Sequence, residues 1–264
     1  MKSRTALAAA ALATVVPLVL TATPATGVEA PQRKPATYKV SAKINKTDVV
    51  SGEDTVKITG RVTPKAAGQK VVLQQRREGR QRWQKSGTAT VKKSGRFVLK
   101  DEPGTRGVRY YRVVKSASKG YRLGTSKELQ LNVWGWEPLG YRVMGANEGV
   151  VVGNPTIAAD WMSMSLSTKT AGTSGFVEYT LGDECRLLRA TYALTDASAT
   201  GATGSVSVSL DGVVKTTHAL AVGTVIRDEE LDLTDVFRIR FDLASNPGPD
   251  AFAAIGTPQV LCLD

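Results

Sequence analysis

The chain has 264 residues, with 35 Lys and Arg against 24 Asp and Glu, a net charge of +11, and one histidine. That length suits one large domain or two small ones, and 22% charged with 42% apolar residues is a globular composition that excludes wholesale disorder. The lone His218 excludes His-rich zinc sites, and two cysteines 77 positions apart exclude zinc fingers, Cys-x-x-Cys redox centres and iron–sulfur clusters, so no metal and no cofactor is expected.

Met1-Lys2-Ser3-Arg4 is a short basic start, Ala6 to Leu20 an uncharged run rich in Ala, Leu and Val, and Thr21 to Gly27 a stretch of small residues. This is the three-part pattern of a secretory signal peptide. The apolar run of about fifteen residues falls short of the roughly twenty that cross a bilayer as a helix; the competing reading is an N-terminal anchor. Residues 1–30 are expected to be removed after Ala25, Gly27 or Ala30, leaving a linker over 31–36. No cysteine near the cleavage region offers a lipid attachment, and no later run of about eighteen apolar residues exists. The expectation is a secreted bacterial protein with no transmembrane segment in the mature chain, released or held at the cell wall.

Residues 31–133 carry 25 basic and 7 acidic side chains, whereas residues 134–264 carry 8 basic and 16 acidic ones. The net charge changes from +18 to −8 at Trp134-Gly135-Trp136-Glu137-Pro138, which predicts a domain boundary there, with one unit over 37–133 and the other over 134–264.

In the first unit Tyr38, Val40 and Ala42 alternate with Lys39, Ser41 and Lys43, and Val56, Ile58 and Val62 alternate with Lys57, Thr59 and Arg61. Period-two alternation gives a strand one apolar and one cationic face. Further strands fit Lys70–Arg76, Thr88–Val91, Arg96–Leu99, Arg109–Lys115 and Lys127–Val133, separated by turn signals such as Glu78-Gly79 and Ser94-Gly95. Seven short strands at this spacing predict a β-sandwich. The runs Ile58-Thr59-Gly60-Arg61-Val62-Thr63-Pro64, Gly68 to Gln74, and Ser94-Gly95-Arg96-Phe97 followed by Tyr111-Arg112-Val113 resemble immunoglobulin-like modules of secreted actinobacterial proteins. The resemblance implies a corner tyrosine at Tyr111 and speaks for fold rather than activity.

Arg76, Arg77, Arg80 and Arg82 crowd a predicted hairpin, with Lys92 and Lys93 near in sequence. Two readings stand: a solvated face, or an electrostatic footprint for anionic polymers of the envelope. Nucleic acid is not expected as a partner, because stacking aromatics among these charges are few: Trp83, Tyr110, Tyr111 and Tyr121.

In the second unit Val206, Val208 and Leu210 alternate with serines, Asp211-Gly212 suits a tight hairpin turn, and Val213-Val214 begins the return strand. Phe237, Ile239, Phe241 and Leu243 alternate with Arg238, Arg240 and Asp242, and Val177–Leu181, Leu187–Leu194 and Gln259–Leu263 are further strands. A second antiparallel sandwich of jelly-roll type is expected. Gly175-Phe176-Val177-Glu178-Tyr179-Thr180-Leu181, Val206 to Gly212, Leu231-Asp232-Leu233-Thr234-Asp235 and Ala254 to Val260 resemble the NPCBM/NEW2 family of modules found beside glycoside hydrolases. That resemblance implies carbohydrate binding. Family members often carry a Gly-Leu-Gly-x-His segment where this chain has Thr170-Ala171-Gly172-Thr173-Ser174, so no ligand role tied to that histidine transfers.

An even cysteine count in an oxidising compartment favours a Cys185–Cys262 disulfide over two separately buried thiols. Trp134, Trp136, Tyr141 and Trp161, with Asp160 beside the last, are candidates for a sugar-stacking platform, or else fill the core and the seam. The run Asp228-Glu229-Glu230 and Asp232 lacks calcium-loop spacing, and His218 is expected to be exposed on a polar strand. No Gly-x-Ser-x-Gly elbow and no phosphate loop is present. The residues predict an all-β protein of two sandwiches with no catalytic constellation, and with the export signal the NPCBM/NEW2 resemblance implies a secreted non-catalytic protein that binds extracellular or envelope carbohydrate rather than an enzyme. The alternative is a structural envelope protein attached through its basic unit to an anionic cell-wall polymer; the oligomeric state is left open.

Overall fold

The computed structural model describes residues 35–263. The expected signal peptide over 1–30 lies outside them, as does all but the end of the expected linker. The alternating positions read from the sequence are those that turn inward: Val56, Ile58 and Val62 are buried between exposed Lys57, Thr59 and Arg61, and Ile239, Phe241 and Leu243 between more open polar neighbours.

In chain order the first half holds β1 (Lys39–Ile44), β2 (Asp48–Val50), β3 (Val56–Thr63), β4 (Lys70–Arg77), β5 (Gln84–Thr90), β6 (Arg96–Asp101), β7 (Gly107–Lys115), β8 (Gly124–Thr125) and β9 (Leu129–Pro138). A sheet in the order β1-β3-β6 packs on a sheet in the order β5-β4-β7-β9, to which β2 adds in parallel along β9. This is a β-sandwich of two packed sheets. Its core gathers Ile58, Leu73, Phe97, Leu99, Tyr111, Val113, Leu131 and Val133 from both sheets.

The second half holds β10 (Asn147–Glu148), β11 (Val150–Gly153), β12 (Thr156–Ile157), β13 (Asp160–Trp161), β14 (Ser165–Thr168), β15 (Ser174–Thr180), β16 (Cys185–Leu194), β17 (Thr203–Leu210), β18 (Val213–Ala221), β19 (Val225–Asp232), β20 (Arg238–Ser245) and β21 (Ala253–Cys262). One antiparallel sheet runs β10-β15-β20-β17-β18; the other places β14 and β11 on one side of β21, with β16 and β19 on the other. Between them lies a core including Leu166, Val177, Tyr179, Leu188, Tyr192, Val208, Phe241 and Val260. The Asp211-Gly212 turn has φ of 46° and 80°, the positive values such a two-residue hairpin requires.

The segment on which the charge changes sign is a strand, not a loose connection. β9 pairs through Leu129–Val133 with β7, then through Gly135–Pro138 with the end of β21, so one sheet passes from the first half into the second. Strand alternation continues across the charge boundary: Leu131 and Val133 face inward while Trp134 and Trp136 face the other way, half-buried. Cys185 and Cys262 stand opposite each other on β16 and β21 and form the disulfide. Phe237, read as part of an alternating strand, precedes β20 and is half exposed. The short strands β10 to β14 escaped the sequence reading because none is long enough to establish a period.

Candidate functional site

β4 and β7 are hydrogen-bonded neighbours whose register sets Arg77 against Arg109, Arg76 against Tyr110 and Gln75 against Tyr111. Arg109, Tyr111 and Val113 share the inward parity of β7, which carries a guanidinium to the mouth of the first sandwich, where it is only 5% exposed. Its Nη1 donates to Gln75 Oε1 at 3.0 Å and its Nη2 to the Thr105 carbonyl, while its Nε–H has no acceptor. Arg77 donates through Nη2 to Thr105 Oγ1 at 2.7 Å. The β4–β5 hairpin adds the exposed Arg80 and Arg82, and these residues with Arg76 and Gln84 enclose a recess of about 530 Å³.

Among the described residues no carboxylate lines this recess, and none lies within ion-pair distance of Arg77, Arg80, Arg82 or Arg109. Arg76 differs, pairing with Glu128 at 2.9 Å and lying over the Tyr110 ring at 4.5 Å. The inward-facing carboxylate nearby, Asp101, is taken up by the hydroxyls of Tyr111 and Ser86, which both donate to it. Burial, then the Asp101 carboxylate, raises the Tyr111 pKa, with the Arg109 charge acting in the opposite sense.

Of the six predicted cationic residues, the recess collects Arg76, Arg77, Arg80 and Arg82. Lys92 lines a different cleft with Lys43, Arg61 and Arg96 on the β1-β3-β6 sheet, and Lys93 stands exposed in the adjoining turn. Arg109, Gln75 and Thr105 were not singled out as site residues. The signal for Arg109 was present, since it shares strand parity with Tyr111 and Val113. Trp83 lies beneath the Arg112 guanidinium at 4.2 Å, Tyr111 is buried, and Tyr121 packs on Tyr38 at 5.1 Å.

The aromatic candidates of the second half stand on three elements: Trp134 and Trp136 on β9, Tyr141 in the helical turn after it and Trp161 on β13. Arg186 lies 4.3 Å over the Trp134 ring, and Arg189 lies 4.2 Å over the Trp136 ring, so a cation occupies one face of each. Trp134 Nε1 donates to Asp48 at 3.1 Å. Burial tends to raise the Asp48 pKa, but hydrogen bonds from Trp134, Asn132 and Thr47 and the Arg186 charge outweigh it and hold that carboxyl below its ordinary value. Trp161 is 73% exposed on the β12–β13 hairpin, where its neighbour Asp160 pairs with Arg227 at 3.0 Å; Tyr141 is as open, in the helical turn after β9. No ring contact joins either to Trp134 or Trp136 among the described residues.

A groove of about 460 Å³ crosses the β15-β20-β17 sheet, lined by Phe176, Ser205, Ser207, Asp242 and Glu148. Arg240 covers the Phe176 ring at 3.9 Å and pairs with Asp242 and Glu178. The sequence reading proposed no site there, because serines alternating with valines signal only an exposed strand face. His218 departs from its expected exposure: its side chain is 10% exposed, stacked on Tyr192 at 4.3 Å and 3.4 Å from Glu229. β18 is an edge strand, but its residue 218 turns toward β16 across the sandwich.

The fold and the recess define an all-β, double-sandwich protein with a concentrated cationic cavity at the mouth of its first sandwich. No family model matches the chain, and no curated protein matches it. Among the described residues no helix is long and apolar enough to cross a membrane, and no three His, Cys, Asp or Glu side chains converge as a metal site.

Proposed function

We propose that this is a secreted, non-catalytic binding protein that attaches to anionic polymers of the bacterial envelope through the arginine recess of its first sandwich. One observation carries the reading: five arginines converge on a single recess whose lining, among the described residues, includes no acid. A polymer with closely spaced negative groups meets several guanidiniums at once and releases its own counterions on binding. The +18 charge of residues 31–133 extends the attraction beyond the recess. The disulfide suits an oxidising compartment. A non-catalytic role is supported by the placement of His218 against Tyr192 and Glu229 rather than in a cleft.

A second reading, glycan recognition by the later half, draws on the groove beside Phe176 with its serine hydroxyls and on the NPCBM/NEW2 resemblance. One retention assay separates the two. On an immobilised polyphosphate or teichoic-type polymer, affinity should fall roughly 50-fold between about 50 mM and about 200 mM salt, as neutralisation of some three to four charges requires. Arg80→Gln with Arg82→Gln, both at exposed hairpin positions, should flatten that dependence by between one and two charges' worth. Retention on an uncharged polysaccharide that ignores salt, with none on the anionic polymer, contradicts the proposal and favours the second reading.

A further inference from the structure

We infer that the recess contains a discrete site for a tetrahedral oxyanion, a phosphate or sulfate group, seated against Arg109 and Arg77; this deepens the polyanion reading and rests on it. Diffuse attraction needs only exposed cations. Arg109 is not exposed: it is 95% removed from solvent, and its Nε–H has no acceptor. A buried charge without a counter-charge is costly, as is a buried donor without a partner. Arg77 stands directly opposite on the neighbouring strand, and like charges in that relation repel.

Among the described residues no carboxylate lies within ion-pair distance of either guanidinium. Gln75 and Thr105 hold the two guanidiniums through neutral acceptors, which orient them and leave their charge intact. The Asp101 carboxylate accepts from Tyr111 and Ser86 instead. Lys115, as deeply buried at the other end of β7, shows the contrast: its ammonium meets the Ser116 carbonyl at 2.7 Å and Ser118 Oγ at 3.1 Å, over the Tyr38 ring at 4.6 Å. Lys115 thus has neutral acceptors and, like Arg109, no carboxylate within ion-pair distance among the described residues; Arg109 differs in that its buried Nε–H has no acceptor and its side chain lines a recess.

A carboxylate has two oxygens, which one guanidinium fork satisfies. Two guanidiniums lining one recess, with N–H groups left beyond those given to Gln75 and Thr105 and with Arg80 and Arg82 also in the lining, match a group with three or more acceptor oxygens and more than one negative charge. A volume of about 530 Å³ also leaves room for the unit that carries the group, so a phosphate or sulfate ester fits as well as the free ion.

The test is thermal unfolding of the full chain at constant ionic strength, with inorganic phosphate, inorganic sulfate or acetate replacing chloride. At about ten times the dissociation constant, phosphate or sulfate should raise the midpoint by roughly 3–6 °C and acetate should not. Arg109→Gln should abolish the rise; because that variant alters a buried position, Arg77→Gln, at an exposed one, provides the same test. Lys92→Gln with Lys93→Gln should retain it. Glycerol 3-phosphate and a sulfated monosaccharide then distinguish the two ester sources by their relative shifts. An equal rise with acetate, or a rise that survives Arg77→Gln, overturns the site. If phosphate has no effect while the polymer is still retained, the discrete site is wrong and the polyanion reading stands. A phosphate shift with no polymer retention leaves the site standing and refutes the reading it rests on.

Discussion

Three buried tyrosines show how environment sets the chemistry of single residues in this protein. Burial raises the pKa of Tyr111, Tyr179 and Tyr192, helped by the Asp101 carboxylate at the first and by Glu229 at the last; Tyr179, whose hydroxyl has no partner, is pushed up to about 12 by burial alone. A folded-state pKa above the unfolded value of 10.0 means stability fully present below pH 10.0 and lost as the pH rises toward the folded values. Phenolate absorbance should therefore show these three ionising above pH 10 and together with unfolding. Tyr179→Phe should lessen the alkaline loss and, by removing an unsatisfied buried hydroxyl, leave stability at neutral pH unchanged or higher by about 1 kcal/mol. If every tyrosine ionised near pH 10 in a chain that stays folded, the burial account would be wrong.

At the scale of elements, strand alternation fixes most of what is seen, and close approaches set limits on it. Gly60 interrupts the inward series Val56, Ile58, Val62 on β3 because the neighbouring strand and the Phe97 ring come too near for a side chain. A Cβ there would lie 2.0 Å from the Ser41 carbonyl oxygen and 2.4 Å from Phe97 Cζ. Gly60→Ala should cost about 2–4 kcal/mol in chemical denaturation, since backbone and a packed ring must both move; a loss under about 0.5 kcal/mol would show that β1 can shift away. The longer strands of the first half, the Asp211-Gly212 hairpin and the cysteine pair were legible because each rests on local pattern or on a count, whereas the short β2 and β8 were not. The passage of β9 from one sandwich to the other was not. The charge change at Trp134–Pro138 marks a boundary in composition, while the partner that continues the sheet, the end of β21, lies more than a hundred residues away in sequence. For the same reason the arginine hairpin could be named but not its buried complement: Arg109 joins Arg77 only through β4–β7 register.

For the whole molecule, charge and shape act together. The first half sets Arg77, Arg80, Arg82 and Arg109, none with a carboxylate in ion-pair distance among the described residues, around one recess, whereas the arginines of the second half are largely spent on ion pairs and on covering rings: Arg189 with Glu230 and Trp136, Arg240 with Asp242 and Phe176. Equal numbers of arginines would therefore not make the halves equivalent as anion binders. The most direct measurement is a residue-by-residue map of backbone amide perturbation by NMR as a short polyphosphate is titrated into the full chain. The changes should centre on residues 75–84, 105 and 109 and weaken with added salt. Changes centred on Trp134, Trp136 and Trp161 or on the Phe176 groove, with the arginine recess undisturbed, would contradict the account.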